Sequence, residues 1–400
     1  MEEFITGLQR TKMCGHFLAS DIGKTVVAMG FVAKYRNLGM IQFVDLRDRT
    51  GIVQLSFSKE EHPDVFEKST LIRNEFVIAI KGIVASRGER NINKNMSTGE
   101  VEILVSELRI ISEAETTPFN IIEDVRASEA LRLKYRYLDL RRASLQNNLI
   151  VRDKIIYATT DYMHKQGFLF LETPFLAKST PEGARDYLVP SRIRQGAFYA
   201  LPQSPQLYKQ LFMIAGFDKY YQIVRCFRDE DLRANRQPEF SQIDVEMSFV
   251  DDIGQVLSVA EGLIGHIFKS TLGLKLPKKF KRMHYIEAMN RFGSDKPDTR
   301  FGLELVDVSK SISGCSFPVF INALKSKGTV RAINIKGKAT ITRKEIDAMQ
   351  DVAKDFGLNG LAYIAIKPDG IVSPISKFFT NEQLNLLIDK VEGKTDDLII

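Results

Sequence analysis

The sequence predicts a multidomain chain: a small N-terminal β-barrel, an α+β region built on an antiparallel sheet, and a mixed α/β region. Three observations predict it. Five short strand-like runs crowd into the first 112 residues. A hairpin with clean in–out alternation occupies residues 220 to 249. Helical patterns stand on either side of that hairpin. The length of 400 residues suits two or three domains at ~150 residues each. A hydrophobic share of 44% and a charged share of 26% exclude a disordered, collagen-like or disulfide-scaffold chain. No apolar run approaches the ~20 residues that span a bilayer. The opening MEEFITGLQR lacks the basic and apolar regions of a secretory signal. Cys14, Cys226 and Cys315 form no CxxC pair and read as reduced thiols of a cytoplasmic protein.

The barrel comes first. VVAMGFVAKYR, MIQFVDLRD, GIVQLSF, EFVIAIKGIVAS and VEILVSELRII are the five runs. Turns such as Asn37-Leu38-Gly39 and Arg49-Thr50-Gly51 separate them. Five short strands with glycines at the corners suit a closed barrel of the OB type, and are too few for a sandwich. The pattern Ile41-Gln42-Phe43-Val44-Asp45 allows Phe43 to be a core aromatic or an exposed stacking surface. Gly23-Lys24-Thr25 resembles the end of a P-loop, but Leu18 stands where its first glycine belongs. A polar, proline-containing boundary follows over Ser112 to Asn120.

The second region begins with basic residues. Arg126, Arg132, Lys134, Arg136, Arg141 and Arg142 face only Glu129 and Asp139. A solvated helix face and a phosphate-binding face are both open readings of that run. A helix is expected from about Leu145 to Lys165, capped by Ser144 and ended before Gly167, with Leu149, Ile156 and Met163 on one stripe and Ile155 and Tyr162 beside it. FLFLETPFL then reads as a strand. Pro174 within it forbids a central hydrogen-bonded position, so it is an edge or interface element.

In the hairpin, Ser241, Ile243, Val245, Met247 and Phe249 are expected on one face and Gln242, Asp244, Glu246 and Ser248 on the other. The loop DEDLRANRQP is too long and too charged for a mere connection. A helix from about Ile253 to Ser270, a basic linker LPKKFKR, and a turn-rich entry near Gly293 follow. ATITRKEIDAMQDVAKDFG reads as helical.

Chemistry gathers around the hairpin. Arg228, Asp229, Glu230, Arg233, Arg236, Gln237, Gln242, Asp244 and Glu246 suit a floor for a ligand bearing both phosphate and amine groups. A salt-bridge network is the alternative. An arginine fixed on a strand can hold phosphate bidentately, and nearby carboxylates can hold Mg²⁺. LPQSPQLYKQ adds Ser204, Gln206 and Lys209 at a helix start. STPEGARDY adds Glu182, which can receive an ammonium or cap a following helix. The five histidines are scattered, so a protein-held zinc site is not expected. The net charge of +6 permits an anionic partner without demanding one.

FLFLETPFL, STPEGARDY, LPQSPQLYKQ and YYQIVRCFRDEDLRANRQPEFSQIDVEMSF resemble the class II aminoacyl-tRNA synthetases, in particular the bacterial aspartyl type. GFVAKYRNLGMIQFVDLRDRTGIVQLSF resembles the anticodon-binding OB domain of that family, RLKYRYLDLRR its catalytic entry, and GSDKPDTRFGLELVDVS the start of the bacterial insertion domain. The resemblance implies an N-terminal OB-fold barrel (1–112), a hinge (113–130), a class II α+β antiparallel-sheet catalytic domain with motifs 1 and 2 (131–285), and an incomplete α/β insertion domain (286–400). It implies ATP-dependent ligation of L-aspartate to tRNA through an aspartyl-adenylate, with ATP as substrate, Mg²⁺, and a homodimer whose motif 1 proline is Pro174.

Arg228 would bind the α-phosphate and the substrate carboxylate, Asp229, Glu230 and Gln237 would lie against ATP, and Glu182 would read the aspartate ammonium. Lys209, with Ser204 and Gln206, would surround the aspartate side chain. A buried cation there rejects asparagine, which would leave it unpaired. In the barrel, Phe43 would stack an anticodon base, with Gln54 at base edges and Arg36 nearby. The glycine-rich motif 3 of the family is absent from these 400 residues, so the chain by itself is expected to be inactive in adenylate formation. A non-catalytic tRNA-binding paralogue is the competing reading. A class II enzyme making a free amino acid amide fits less well, because it needs no anticodon reader. The motifs do not separate an enzyme for aspartate tRNA from one that also accepts asparagine tRNA.

Overall fold

The computed structural model describes residues 3–180 and 182–400. It divides into two units, Met1–Lys279 and Phe280–Ile400.

The first unit opens with the barrel. Strands β1 (Thr25–Asn37), β2 (Ile41–Asp48) and β3 (Gly51–Ser58) form a meander. Helix α1 (Pro63–Ser69) follows, then β4 (Val77–Ser86) and β5 (Val101–Ser112). The sheet closes in the order β1-β2-β3-β5-β4, with β3 and β5 parallel. Closure pairs both edges of every strand, which removes the exposed edges of an open sheet. Alternate residues point inward and are fully buried, among them Val32, Val44, Leu46, Val53, Leu55, Ile78, Ile80 and Ile103. The strands turn sharply where β4 crosses β5. There the pairing slips between Lys81 and Gly82, and a Cβ at Gly82 would lie 2.2 Å from the Leu104 carbonyl oxygen. Only glycine allows that approach.

Residues 113–128 form no regular element. Helices α2 (Glu129–Lys134), α3 (Arg136–Asp139) and α4 (Ala143–Lys165) come next. The basic run is in part a solvated face, with Arg126, Lys134 and Arg136 exposed, but Arg132, Arg136, Arg141 and Arg142 are paired with carboxylates. Asp139 is fully buried, with Arg142 Nε at 2.7 Å, Arg136 at 3.0 Å and Arg132 at 3.6 Å. The Arg142 guanidinium holds its carboxyl below the ordinary range.

Two expectations for α4 are corrected. Arg142, not Ser144, occupies the N-cap, and the Ser144 backbone N–H donates to the Glu123 carboxylate at 3.1 Å. A carboxylate reaching in from the hinge therefore does the work of a capping hydroxyl. The buried stripe also differs: Ala158 and Met163 pack with Ile155 and Tyr162, while Leu149 and Ile156 are exposed. The helix meets the sheet along a narrower face than the apolar spacing suggests.

Beyond α4 lie β6 (Leu169–Phe170), β7 (Leu188–Pro190), β8 (Phe198–Ala200), α5 (Gln206–Ile214), β9 (Lys219–Phe227), β10 (Glu239–Met247) and α6 (Ile253–Leu272). The main sheet has the order β10-β9-β6, with β6 at its edge parallel to β9. Pro174 falls beyond β6, as a proline at an edge must. Val245 and Met247 pack with α4 and α6 on one face of this sheet. Phe249 does not join them: it lies past the strand end at φ 55° and is exposed. Asp252 caps α6 through the Gly254 N–H, and Gly273 ends it in the left-handed conformation.

The second unit contains α7 (Tyr285–Phe292), β11 (Val306–Asp307), α8 (Pro318–Lys325), β12 (Arg331–Ala332), β13 (Asn334–Ile335), α9 (Arg343–Asp355), β14 (Ile364–Lys367), β15 (Gly370–Val372), α10 (Asn381–Lys390) and β16 (Leu398–Ile399). Its sheet runs β13-β16-β14-β15. Ile312, Ile364, Leu384, Leu387 and Ile399 form its core. Helix α9 lies where the sequence pattern puts one, started by a reciprocal Thr342–Glu345 capping box. Among the described residues, no helix is long and apolar enough to cross a membrane.

Candidate active site

The register of β9 on β10 builds the site. Gln242 lies opposite Val224, Asp244 opposite Gln222 and Glu246 opposite Tyr220. These side chains share the sheet face turned away from α4. Helix α5 crosses the same strands. Pro205 at its N-cap sets the approach, and Lys209 reaches down onto the strands.

Lys209 is buried, with Nζ 2.9 Å from Asp244 Oδ1 and 3.2 Å from Glu246 Oε2. Burial works against its charge, but the two carboxylates outweigh that and hold its pKa above the ordinary value of 10.5. Burial pushes the Asp244 carboxyl up, Glu246 adds to this, and Lys209 opposes it. One Asp244 oxygen, Oδ2, is buried without a hydrogen-bond partner. The result is a fixed ammonium with an acceptor beside it, out of bulk water.

Arg228 ends β9. Its backbone N–H donates to the Pro238 carbonyl at 2.9 Å, which ties the two ends of the charged loop together. Its guanidinium lies 5.1 Å from the Phe240 ring centre, and its buried Nε has no partner. Stacking fixes the plane of the fork while leaving a donor free. Arg228, Glu230, Arg236, Gln237 and Phe240 line a cleft of about 450 Å³. Glu230 pairs with Arg236 at 3.4 Å. Asp229, Glu230 and Gln237 are all exposed, and the Asp229 N–H donates to the Arg185 carbonyl.

Glu182 accepts a hydrogen bond from Ser204 Oγ at 2.7 Å. No helix follows Glu182 before β7, so the capping alternative does not apply. Gln203, buried beside Ser204, accepts from the Ala184 N–H and donates to the Ala184 carbonyl and Asp186. It pins the Glu182 loop to the turn before α5. Gln206 is the half-exposed first residue of α5.

The structure thus gathers Glu182, Ser204, Lys209 and Arg228 around one patch of floor. At its centre is Cys226, whose thiol burial pushes up to about 11 and which feels the charges of Asp244, Arg228, Glu182 and Lys209. Sequence reasoning did not single out Cys226 or Gln203 as parts of the site. Both are ordinary-looking neighbours of motif residues, and only the register and the loop geometry reveal them. On the same face, Thr173 and Tyr220 both donate to Gln222 Oε1, at 3.0 and 2.9 Å. This anchors the Pro174 segment. Pro174 itself is exposed beside exposed Phe175 and Leu176.

The barrel carries a second cluster. Phe43 is half-buried on the outer wall, not in the core, and Arg36 lies 5.7 Å from its ring centre. Arg36 also pairs with Asp45 at 3.0 Å and donates to Gln54 Oε1 at 3.1 Å. Gln54 is buried at the middle of this network, accepting from Arg87 at 2.8 Å and donating to Glu102 at 2.8 Å. Arg87 Nε and Nη1 and Arg36 Nε are buried without partners. Arg87 and Glu102 are additions that strand pairing alone brings to Gln54.

Comparison with known proteins agrees with this geometry. Residues 128–384 match the family described as tRNA synthetases class II (D, K and N), and residues 26–111 match the OB-fold nucleic acid binding domain. The chain is 52% identical over 400 residues to an aspartate–tRNA(Asp/Asn) ligase of Thermoanaerobacter pseudethanolicus, covering all of this chain and 67% of that one. It is equally 52% identical, with the same coverage, to an aspartate–tRNA ligase of Ruminiclostridium cellulolyticum. Among solved structures, an Entamoeba histolytica asparaginyl-tRNA synthetase matches with a TM-score of 0.58 at 25% identity, over 67% of this chain and 63% of that one. The Pyrococcus horikoshii asparaginyl-tRNA synthetase shares the fold at a TM-score of 0.56 and 20% identity, over 95% of this chain and 90% of that one. With an OB-fold barrel at its front and the motif-bearing sheet behind it, the chain belongs to the class II aminoacyl-tRNA synthetases.

Proposed function

We infer that the chain serves the ATP-dependent attachment of L-aspartate to tRNA, and that its sheet floor selects aspartate. The observation that carries this is Lys209, buried between Asp244 and Glu246. An ammonium held there fits a substrate side-chain carboxylate. A neutral amide in its place makes no ion pair with the ammonium, which favours aspartate over asparagine. Glu182 and Ser204 at the rim suit the substrate ammonium, and the free Nε of Arg228 suits an anionic oxygen.

In the first step the aspartate α-carboxylate attacks the α-phosphorus of ATP and pyrophosphate leaves. Arg228 stabilises the charge growing on the phosphoryl oxygens, and no covalent protein intermediate is required. In the second, a hydroxyl of the terminal tRNA adenosine attacks the mixed anhydride and AMP leaves. Asp229, Glu230 and Gln237 would lie along ATP in the cleft beside Arg228. Mg²⁺ would accompany the phosphates of ATP as part of the substrate and offset their charge.

Phe43, Arg36 and Gln54 would receive the anticodon. Exposed Phe175 and Leu176 beside Pro174, and exposed Leu149 and Ile156 on α4, support a homodimer, and the unit Phe280–Ile400 would correspond to the bacterial insertion domain. The relatives include both an aspartate–tRNA(Asp/Asn) ligase and an aspartate–tRNA ligase, so aspartate and asparagine tRNAs both belong in the binding test.

The decisive experiment is calorimetric titration of the chain with non-hydrolysable aspartyl- and asparaginyl-adenylate analogues. Tighter binding of the aspartyl analogue, lost in Lys209→Met, supports the assignment. Equal binding of both analogues overturns it.

A further inference from the structure

One cluster in the first unit takes no part in either site. Glu75 sits just before β4 at φ 67° and is 6% exposed. A residue with a Cβ is unfavourable in that left-handed region, and a plain turn would take glycine. The Glu75 carboxylate explains the exception. Arg47 Nη2, from β2, reaches both of its oxygens at 2.8 and 2.7 Å, and Arg141 Nη1 reaches Oε2 at 2.7 Å. Arg47 belongs to the barrel, whereas Arg141 stands two residues before α4. The Arg141 guanidinium also lies 4.0 Å from the ring centre of Phe31 in β1.

The next residue, Arg142, turns the other way, onto Asp139. Two consecutive arginines therefore grip opposite sides of the junction, one the barrel and one the helical body. Residues 113–128 join the two without a regular element, and clefts of about 650 and 380 Å³ open beside Arg141.

We propose that Glu75 is a positioning residue: through Arg47 and Arg141 it pins the barrel to the synthetase body and sets the span across which a tRNA is held. This rests on the tRNA reading above. A tRNA that touches both barrel and body binds as a two-site ligand, and a loose junction lowers the effective concentration of the second site.

The test uses the whole chain and two RNA probes, a transcript of an aspartate-acceptor tRNA and its isolated anticodon stem-loop. Glu75→Gly removes the pin and relaxes the strained backbone, and circular dichroism checks that the barrel keeps its fold. Glu75→Gln removes the charge and keeps the shape. Full-length tRNA affinity is expected to fall about tenfold in both, by the loss of coupled binding, with stem-loop affinity unchanged. Unchanged tRNA affinity, or an equal loss on both probes, overturns the proposal. If the parent chain binds neither RNA, the tRNA reading fails, and the pin is judged by hydrogen exchange over residues 113–142 and by small-angle scattering. Faster exchange and a larger radius in Glu75→Gly uphold it; profiles identical to the parent overturn it.

Discussion

The barrel face and the sheet face both present charged side chains, and they hold those charges in opposite ways. On the barrel, Arg36 and Asp45 form a pair with side-chain exposures of 40% and 17% on a closed, fully paired wall. On the sheet, Lys209 and Asp244 are exposed by only 10% and 11%, with Glu246 completing the set. Exposed pairs contribute ~0–1 kcal/mol, so their partners can be exchanged for a ligand at little cost. Buried charges cannot be released without a compensating charge. The difference suits two kinds of recognition. A rim whose hydrogen bonds are negotiable suits RNA, and a fixed charge already out of water suits a small charged amino acid.

The strongest way to break this comparison is Lys209→Met. It leaves Asp244 and Glu246 facing each other with no cation, and breaking such a buried set costs about 3–5 kcal/mol. Urea unfolding followed by circular dichroism is the measurement, since the chain has no tryptophan. A loss under 1 kcal/mol would mean that water reaches the triad and that the sheet face is no different from the barrel wall.

Leu55→Ala tests the other half. Leu55 is fully buried in the barrel core, and the truncation is expected to cost about 2–5 kcal/mol. The closed barrel completes its own hydrogen bonding. Faster hydrogen exchange should therefore be confined to β1–β5, with β9 and β10 unaltered. Exchange rising equally in both would show one cooperative unit where the comparison asks for two.

How much of this was legible in the sequence follows from the same contrast. All five barrel strands could be read because a closed wall enforces alternation over its whole length. Lys209 could be named from its motif, but not its partners. Asp244 and Glu246 reach it only through the β9–β10 register and the crossing of α5. The α4 stripe is not legible because Leu149 and Ile156 carry apolar side chains at core spacing yet face outward. The cap is not legible because the Ser144 N–H is satisfied by Glu123, a residue no local pattern connects to it. The basic run read as a surface because a single buried Asp139 can neutralise arginines on three sides. For Lys209 and for the cap, the missing information was a contact distant in sequence.

Phe43→Ala is the next smaller effect. A base stacked on an aromatic ring contributes ~1–3 kcal/mol, so stem-loop affinity should fall roughly ten- to a hundredfold. Barrel stability should barely change, because Phe43 lies on the outer wall with one face toward Arg36. A large drop in melting temperature would return Phe43 to a structural role.

Asp45→Asn should give the smallest change, and its sign is informative. Asp45 is the only carboxylate whose ion pair with Arg36 is seen among the described residues, so the substitution frees that guanidinium and removes a negative charge from the wall. Losing an exposed pair costs stability by ~0–1 kcal/mol. If the wall receives phosphates and base edges, RNA affinity should rise by a few-fold and its salt dependence should steepen, because one more cation is available to release counterions. If Asp45 instead orients Arg36 for a specific base, affinity should fall while the salt slope stays constant. The first outcome would make the rim an exchangeable electrostatic surface, in keeping with its contrast to the Lys209 triad. The second would show that even an exposed pair on this barrel is held in a fixed geometry, and the two faces would then differ in burial alone.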